Sequence, residues 1–540
     1  MRGRQFEQRP PGSGWRRFAV VPILVGALAS VALGSPSGPW LDPAEAAAGD
    51  AAEGQDGGAA GDAADGQDGG AAGGAAGSEV VTVMSRNLYL GADVGVALEL
   101  LPDMPAAAQF MWQQVAATDF TTRAGLLAAE AARHEPAVIG LQEATRWRCR
   151  PGNLGRVVDV FDFTAQFLEA TRESGVEYVI AEHAGRRALQ PGYAIPALPF
   201  LSAVHDPETF QPLFGRDSAT CGFDLADALL VRADLADRLV DVGTGWYGDR
   251  YAVVPTVLVI DRGYAWADIE FDSGVVRFVT THLESLWDED APTHAAMQAR
   301  QLAEDLAGTT SPLVVMGDLN SDPRDPRPAG DPNPALQPVA SDACPAQVVD
   351  PTVATATADC NSYWVLRQAG FEDAGPDALD PRHYTWGTSA ELAGPDPLRI
   401  DDALAMGNPY GFTDRLDYVL IRGGIETIDA RIIGNVWPGG DDNWSCATPS
   451  QVATTGAMSE VLAAAGGDVE VVDGGECLPT DHAGVVAQLR LPDDDAAAAS
   501  ASEPPPTRFR SPIGLWGAVG LLLVALVVWR VVRRVRPRTR

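Results

Sequence analysis

The apolar run Leu313 to Met316 ends in Gly317-Asp318-Leu319-Asn320-Ser321. The same arrangement, an apolar stretch bounded by a carboxylate, amide or imidazole, recurs along the chain. Asn87 follows Val-Val-Thr-Val-Met-Ser-Arg, Gln142-Glu143 close Ala-Val-Ile-Gly-Leu, and His282 closes Arg-Phe-Val-Thr-Thr. Asp417 opens Asp-Tyr-Val-Leu-Ile, and Asp481-His482 precede Ala-Gly-Val-Val-Ala-Gln-Leu. This set of side chains suits hydrolysis. Hard cations such as magnesium take oxygen ligands and keep several waters, so one or two carboxylates suffice, and Glu143 fits that role. Phosphoryl transfer needs charge stabilisation and an in-line nucleophile. Imidazoles hold phosphate oxygens, and a carboxylate accepts the proton of an attacking water. Amides such as Asn87 and Asn320 orient ligands without adding negative charge. Taken singly, each residue also has a plain structural reading; Asp318 and Asn320 alone fit an ordinary Asx turn.

Rigid elements must hold these side chains. Val80–Ser85, Ala137–Leu141, Ala226–Val231, Ala265–Glu270, Val276–Thr281, Leu313–Met316, Leu416–Ile421 and Val485–Leu489 read as strands. Residues near 121–133, 160–173, 292–307 and 361–369 read as helices. The Gly/Pro/Asp-rich stretches near 183–224, 321–360 and 427–478 read as long loops. The pattern is α/β with insertions, and in open α/β sheets sites form beyond strand ends.

Composition removes several mechanisms. The 540 residues include no lysine, which excludes a P-loop lysine, a Schiff-base lysine and a Ser-Lys dyad. The formal charge is −34. So acidic a chain is a poor generic binder of polyanions, whose affinity rests on basic side chains. A nuclease whose bound metal supplies local positive charge stays open. None of the six cysteines forms a C-x-x-C pair, which argues against structural zinc. Their even number suggests disulfides. Pairing sequence neighbours, Cys344 with Cys360 and Cys446 with Cys477, is the simplest expectation.

The two ends differ from the body. Residues 1–41 place Arg2, Arg4, Arg9, Arg16 and Arg17 before the apolar run Phe18–Gly34, as in a signal peptide or an N-terminal anchor. Residues 42–78 form an acidic Ala/Gly/Asp-rich linker containing a near-perfect tandem repeat at 49–60 and 61–72. Residues 79–492 are expected to form one large catalytic domain. A disordered linker is expected at 493–512, a transmembrane helix at 513–529 and an Arg-rich tail at 530–540. Arginines packed against one side of an apolar span place that side in the cytoplasm. The expected location is therefore exported and at the cell membrane, with the catalytic domain extracellular and the C-terminus cytoplasmic.

The ordered set resembles the endonuclease/exonuclease/phosphatase superfamily. The matching elements are SRNLYL (85–90), IGLQEAT (139–145), FVTTHLES (278–285), VVMGDLNSDP (314–323), DRLDYVLIRGG (414–424) and PTDHAGVVAQL (479–489). The resemblance implies a deoxyribonuclease I-like α/β fold, a four-layer α/β/β/α sandwich of two packed, mainly antiparallel sheets with outer helices. It implies metal ligation by Asn87, Glu143 and Asp481, with Glu143 the main ligand of Mg2+, or of Mn2+ or Ca2+ in its place. It makes His282, Asp318, Asn320, Asp417 and His482 catalytic. His282 would contact the scissile phosphate, and Asp318, with Asn320 beside it, would orient or deprotonate the water. Asp417 would fix the tautomer of His482, which binds phosphate or acts as acid/base. Asp227 departs from the small or amide residue that many members carry at that position.

The expected activity is extracellular, divalent-metal-dependent phosphoester hydrolysis, as a phosphodiesterase or nuclease. A phospholipid-headgroup or inositol-phosphate phosphatase of the same superfamily is the alternative. Expected partners are nucleic acid or a phospholipid headgroup as substrate and the membrane through the C-terminal helix, with no obligate protein partner. Arg146, Arg148 and Arg150 are candidate nucleic-acid contacts, and His383 is noted for its neighbours Tyr384-Thr385-Trp386. Two other classes are weighed. A calcineurin-like metallophosphatase would need D-x-H and GNHE elements, which the sequence lacks. An inactive surface binding module would have lost Glu143, Asp318 or His482, and all three are present.

Overall fold

Along Val80–Asn87 the side chains alternate, as the two-residue period of a strand dictates. Val81 and Val83 pack on one face, and Met84 on the other. Both faces are buried, so this strand lies inside a layered molecule. The computed structural model describes residues 79–254, 258–287, 292–328, 337–346, 358–396, 398–446 and 476–492. The expected signal or anchor (1–41), the linkers (42–78 and 493–512), the apolar span (513–529) and the tail (530–540) lie outside the described residues. Among the described residues no helix is long and apolar enough to cross a membrane.

Two large sheets form the centre. The first runs in the order 426–433, 484–490, 80–87, 138–142, 218–232, 146–151 and 158–162, with 178–180, 189–195 and 203–205 also pairing with 218–232. The second runs 239–246, 263–271, 274–282, 313–318, 417–422 and 372–373. Pairing is antiparallel except between 80–87 and 138–142 and between 274–282 and 313–318. The sheets face each other across a shared apolar layer that joins Val83, Val138 and Leu229 to Ala267, Phe278, Val314 and Val419. Each fully buried Val, Leu or Phe there stabilises the fold by about 1.5–3 kcal/mol. At Gly140 the sheets approach closely, since an added Cβ would lie 2.9 Å from the Met316 Cβ.

Helices cover the outer faces. Met104–Ala117, Phe120–His134 and Phe163–Glu173 cover the first sheet through Trp112, Leu127 and Phe163. His294–Leu306 and Ser362–Gln368 cover the second through Ala299, Leu302 and Trp364. This is the expected four-layer α/β/β/α sandwich. The first and last strands of the fold pair antiparallel, and Leu491 N donates to Glu79 O at 2.8 Å.

The eight expected strands and four expected helices are all present. Two loop assignments need correction. Residues 426–433 form an edge strand on 484–490, and 183–224 contains strands that pair with 218–232. Helices at 94–99 and 104–117 went unread; the longer one is rich in alanine and carries little amphipathic contrast. Three disulfides form: the two expected pairs, Cys344–Cys360 and Cys446–Cys477, and a third, Cys149–Cys221, across neighbouring strands.

Candidate active site

Register lines up the second sheet's polar strand ends. Asp318 lies beside His282 on one neighbour and opposite Asp417 on the other. The first sheet brings Asn87 to the same edge, and the turn after Leu478 delivers His482. One oxygen, Asp318 Oδ2, gathers the group. It accepts from Asn87 Nδ2 at 3.2 Å, and His282 Nε2 and His482 Nε2 stand 3.5 Å and 3.7 Å away. Asp318 Oδ1 accepts Asn320 N at 2.9 Å in a turn where Asn320 takes φ 45°, and Asn320 Nδ2 donates to Leu283 O at 2.8 Å. Asn320 thus pins the turn that presents Asp318.

The two imidazoles are held differently. His482 Nδ1 faces Asp417 Oδ2 at 2.9 Å, so Nδ1–H donates to the carboxylate. Although burial opposes protonation, the carboxylates of Asp417, Asp318 and Asp481 hold the His482 pKa well above its ordinary value. Arg262 Nη1 lies 3.0 Å from His282 Nδ1. A guanidinium only donates, so Nδ1 must accept, and the neutral ring carries its proton on Nε2. Burial and the Arg262 charge push the His282 pKa well below its ordinary value. The site therefore pairs a charged imidazole with a neutral one. Burial raises Asp318 to about 7, with His482 opposing and Asp417 adding to the rise.

Glu143 and Asp481 form the other half. Glu143, at the end of strand 138–142 with φ 54°, accepts Leu90 N at 2.6 Å. Asp481 is half-buried and is raised to about 7 by burial, with Glu143 adding to the rise. Several carboxylates thus crowd one edge, a donor set that suits a hard divalent cation. Asp417 Oδ1 is also buried without a hydrogen-bond partner. The atoms of Asp318, Asp417 and His482 lie within 4.8 Å of one another, close enough to hold a metal ion. This grouping differs from the ligand set expected from the sequence. Asn87 differs too, because its Oδ1 accepts Tyr89 N at 2.8 Å and its Nδ2 turns to Asp318.

The structure brings His282, Asp318, Asn320, Asp417, His482 and Asn87 together, with Asp481 and Glu143 electrostatically coupled nearby. It does not add Arg146 and Arg148, which pair with Asp224 and Asp159. His383 is turned to Asp377 O at 2.9 Å, whereas Trp386 stands with its ring 6.3 Å from that of His482. Sequence reasoning missed three arginines. Arg262 holds His282, while Arg86 binds Glu130 and the His482 carbonyl. Arg123 donates to the carbonyls of Leu88, Tyr89, Thr118 and Pro479. In a sequence, an Arg in a turn, on a helix or near a strand end reads as solvated, and only its burial separates these from the rest.

Comparison with known proteins gives one family match, the Endonuclease/Exonuclease/phosphatase family, over residues 112–438. No curated protein matches the chain. Among solved structures, a mannosyl-6-phosphatase of Bacteroides thetaiotaomicron is similar at 13% identity and TM-score 0.35, over 76% of this chain and 99% of that one. An endonuclease/exonuclease/phosphatase of Beutenbergia cavernae shares 15% identity at TM-score 0.35, over 76% and 72%. TDP2 of D. rerio, complexed with a single-strand DNA product, shares 13% identity at TM-score 0.32, over 76% and 98%.

Proposed function

Because the chain belongs to the endonuclease/exonuclease/phosphatase family and is a hydrolase of phosphoester bonds, we propose that residues 79–492 cleave a phosphodiester with a divalent cation held by Glu143 and Asp481. The observation that carries this reading is the convergence of Asn87, His282 and His482 on Asp318 Oδ2. Mg2+ fits the oxygen donors, with Mn2+ or Ca2+ as substitutes. Such a cation supplies charge neutralisation at the phosphate oxygens.

The chain's own groups do the rest. His282 Nε2–H and the His482 imidazolium donate to non-bridging oxygens and stabilise the charge that grows there. Asp318, with a pKa of about 7, accepts the proton of the attacking water as its oxygen bonds to phosphorus. The P–O bond to the leaving group breaks opposite, and Asn320 keeps Asp318 in place. We further propose that the enzyme works outside the cell, tethered by the apolar segment 513–529.

The test is hydrolysis of DNA, RNA, sphingomyelin and inositol phosphates by the purified protein, with Mg2+ and with chelator. Activity should depend on the cation and fall at least 100-fold in Glu143→Gln. Activity that survives both treatments sinks the proposal.

A further inference from the structure

The strand 218–232 is longer than its partners require. Ala226 sits at the site, where its carbonyl accepts Ala144 N at 2.8 Å, but the strand begins at Ser218. Eight residues therefore project about 26 Å past the catalytic edge, at about 3.3 Å each. The strands 146–151, 189–195 and 203–205 accompany this projection, and Cys149–Cys221 cross-links it.

Its tip is apolar and exposed. Leu154 is 86% exposed, Phe200 68% and Leu213 56%, each in a turn or helix at that end. The turns are built rather than loose. Phe200 N donates to Asn153 Oδ1 at 2.8 Å, which joins the Leu154 and Phe200 turns. Leu198 N donates to Ser202 Oγ at 2.8 Å, and Cys221 N to Ser202 O at 3.0 Å, beside the disulfide. Phe200 has φ 65°, the left-handed region, an unfavourable backbone for a bulky residue that gains nothing by burial here. Arg156 and Arg216 are exposed at the same end, and neither pairs with a carboxylate among the described residues. In a chain of charge −34, these two cations flank the exposed apolar side chains, with the carboxylates of Glu208 and Asp217 exposed at the same end.

We propose that this tip docks on an anionic lipid bilayer, with Leu154 and Phe200 entering the interface and Arg156 and Arg216 meeting the headgroup phosphates. Apolar side chains gain from burial among acyl chains, and an Arg near an anionic surface is attracted to its headgroups. The tip stands beside the catalytic edge, so docking would turn that edge toward the membrane. The apolar segment 513–529 gives the same partner chemistry by a separate route. Residues 493–512 reach about 70 Å when extended, which exceeds the distance from Pro492 to the tip, about 50 Å by strand lengths. The reading does not depend on the catalytic assignment.

The experiment uses the full chain reconstituted in vesicles of phosphatidylcholine with phosphatidylglycerol or of phosphatidylcholine alone. Single cysteines introduced as Phe200→Cys, Leu154→Cys and, at the far end of the second sheet, Val240→Cys carry a fluorophore. Nitroxide lipid should quench positions 154 and 200 several-fold more than 240 in the anionic vesicles. High salt should weaken the effect, and Arg156→Glu should reduce it without lowering the melting temperature. Equal quenching at all three positions, or none at the tip, overturns the proposal. So does shielding of position 200 by a DNA oligonucleotide in place of lipid, or self-association that buries the tip.

Discussion

His482 and His282 show how one fold edge holds two imidazoles in different protonation states, one through a carboxylate and the other through a guanidinium. Asp417→Asn removes the charge that keeps His482 protonated. A raised pKa keeps the ring charged to higher pH, and activity is lost as pH rises through it. Lowering that pKa moves the alkaline limb of kcat/KM downward. We expect a limb at least about one unit lower and kcat/KM reduced on the order of 10²-fold at neutral pH. An unchanged pH–rate profile would contradict the pairing. For His282, 15N NMR should show the ring proton on Nε2 through the neutral range; a ring protonated at Nδ1 would contradict the Arg262 contact. Most of this was legible in the sequence, because carboxylates and imidazoles at strand ends announce themselves. Arg262 was not, since nothing in Asp-Arg-Gly-Tyr marks that arginine as buried.

At the scale of elements, the helix 120–134 does more than cover a sheet. Its inner face buries Arg123 and Glu130 beside Leu127. Arg123 ties the turn after Asn87 to the turn before Asp481, and Glu130 holds Arg86, which reaches His482. One helix thus fixes two of the turns that carry the site, the one after Asn87 and the one at 479–482. Lysine cannot reproduce a planar, five-donor fork. Arg123→Lys should lower stability by about 2–4 kcal/mol in urea unfolding, through orphaned buried carbonyls. It should also raise the cation concentration needed for half-maximal activity. A variant that matches the parent in both measurements would show the helix to be a passive cover. The strand 426–433 reads as loop in the sequence for a physical reason. As an edge strand it buries little, so its sequence lacks clean alternation. The segment 183–224 hid its strands because glycines and prolines there mark close backbone approach and turns.

Across the whole molecule, buried carboxyls set the response to pH. Glu130 is raised by burial to about 7, and Asp325 to about 8, in each case against a neighbouring arginine. In the unfolded chain both titrate near their ordinary values of 4.5 and 3.8. Between those values and about 7–8 the folded state binds more protons. Stability therefore falls as pH rises through that window and is greatest near its acid end, by an amount on the order of 3 kcal/mol for Glu130 alone. Melting temperatures at pH 5.5 and 8 should differ in that sense, and Glu130→Gln should shrink the difference. A protein more stable at pH 8, with the parent and variant alike, would refute the account.

The pairing of strand 80–87 with strand 484–490 has an engineering consequence. Glu79 and Leu491 are hydrogen-bonded neighbours, so a short linker would join them without strain. New termini placed at the exposed Ser174–Gly175 turn would leave every sheet pairing intact. Such a circular permutant should keep the cation-dependent activity. Its folding would then show whether the central strands need the original chain order to find one another.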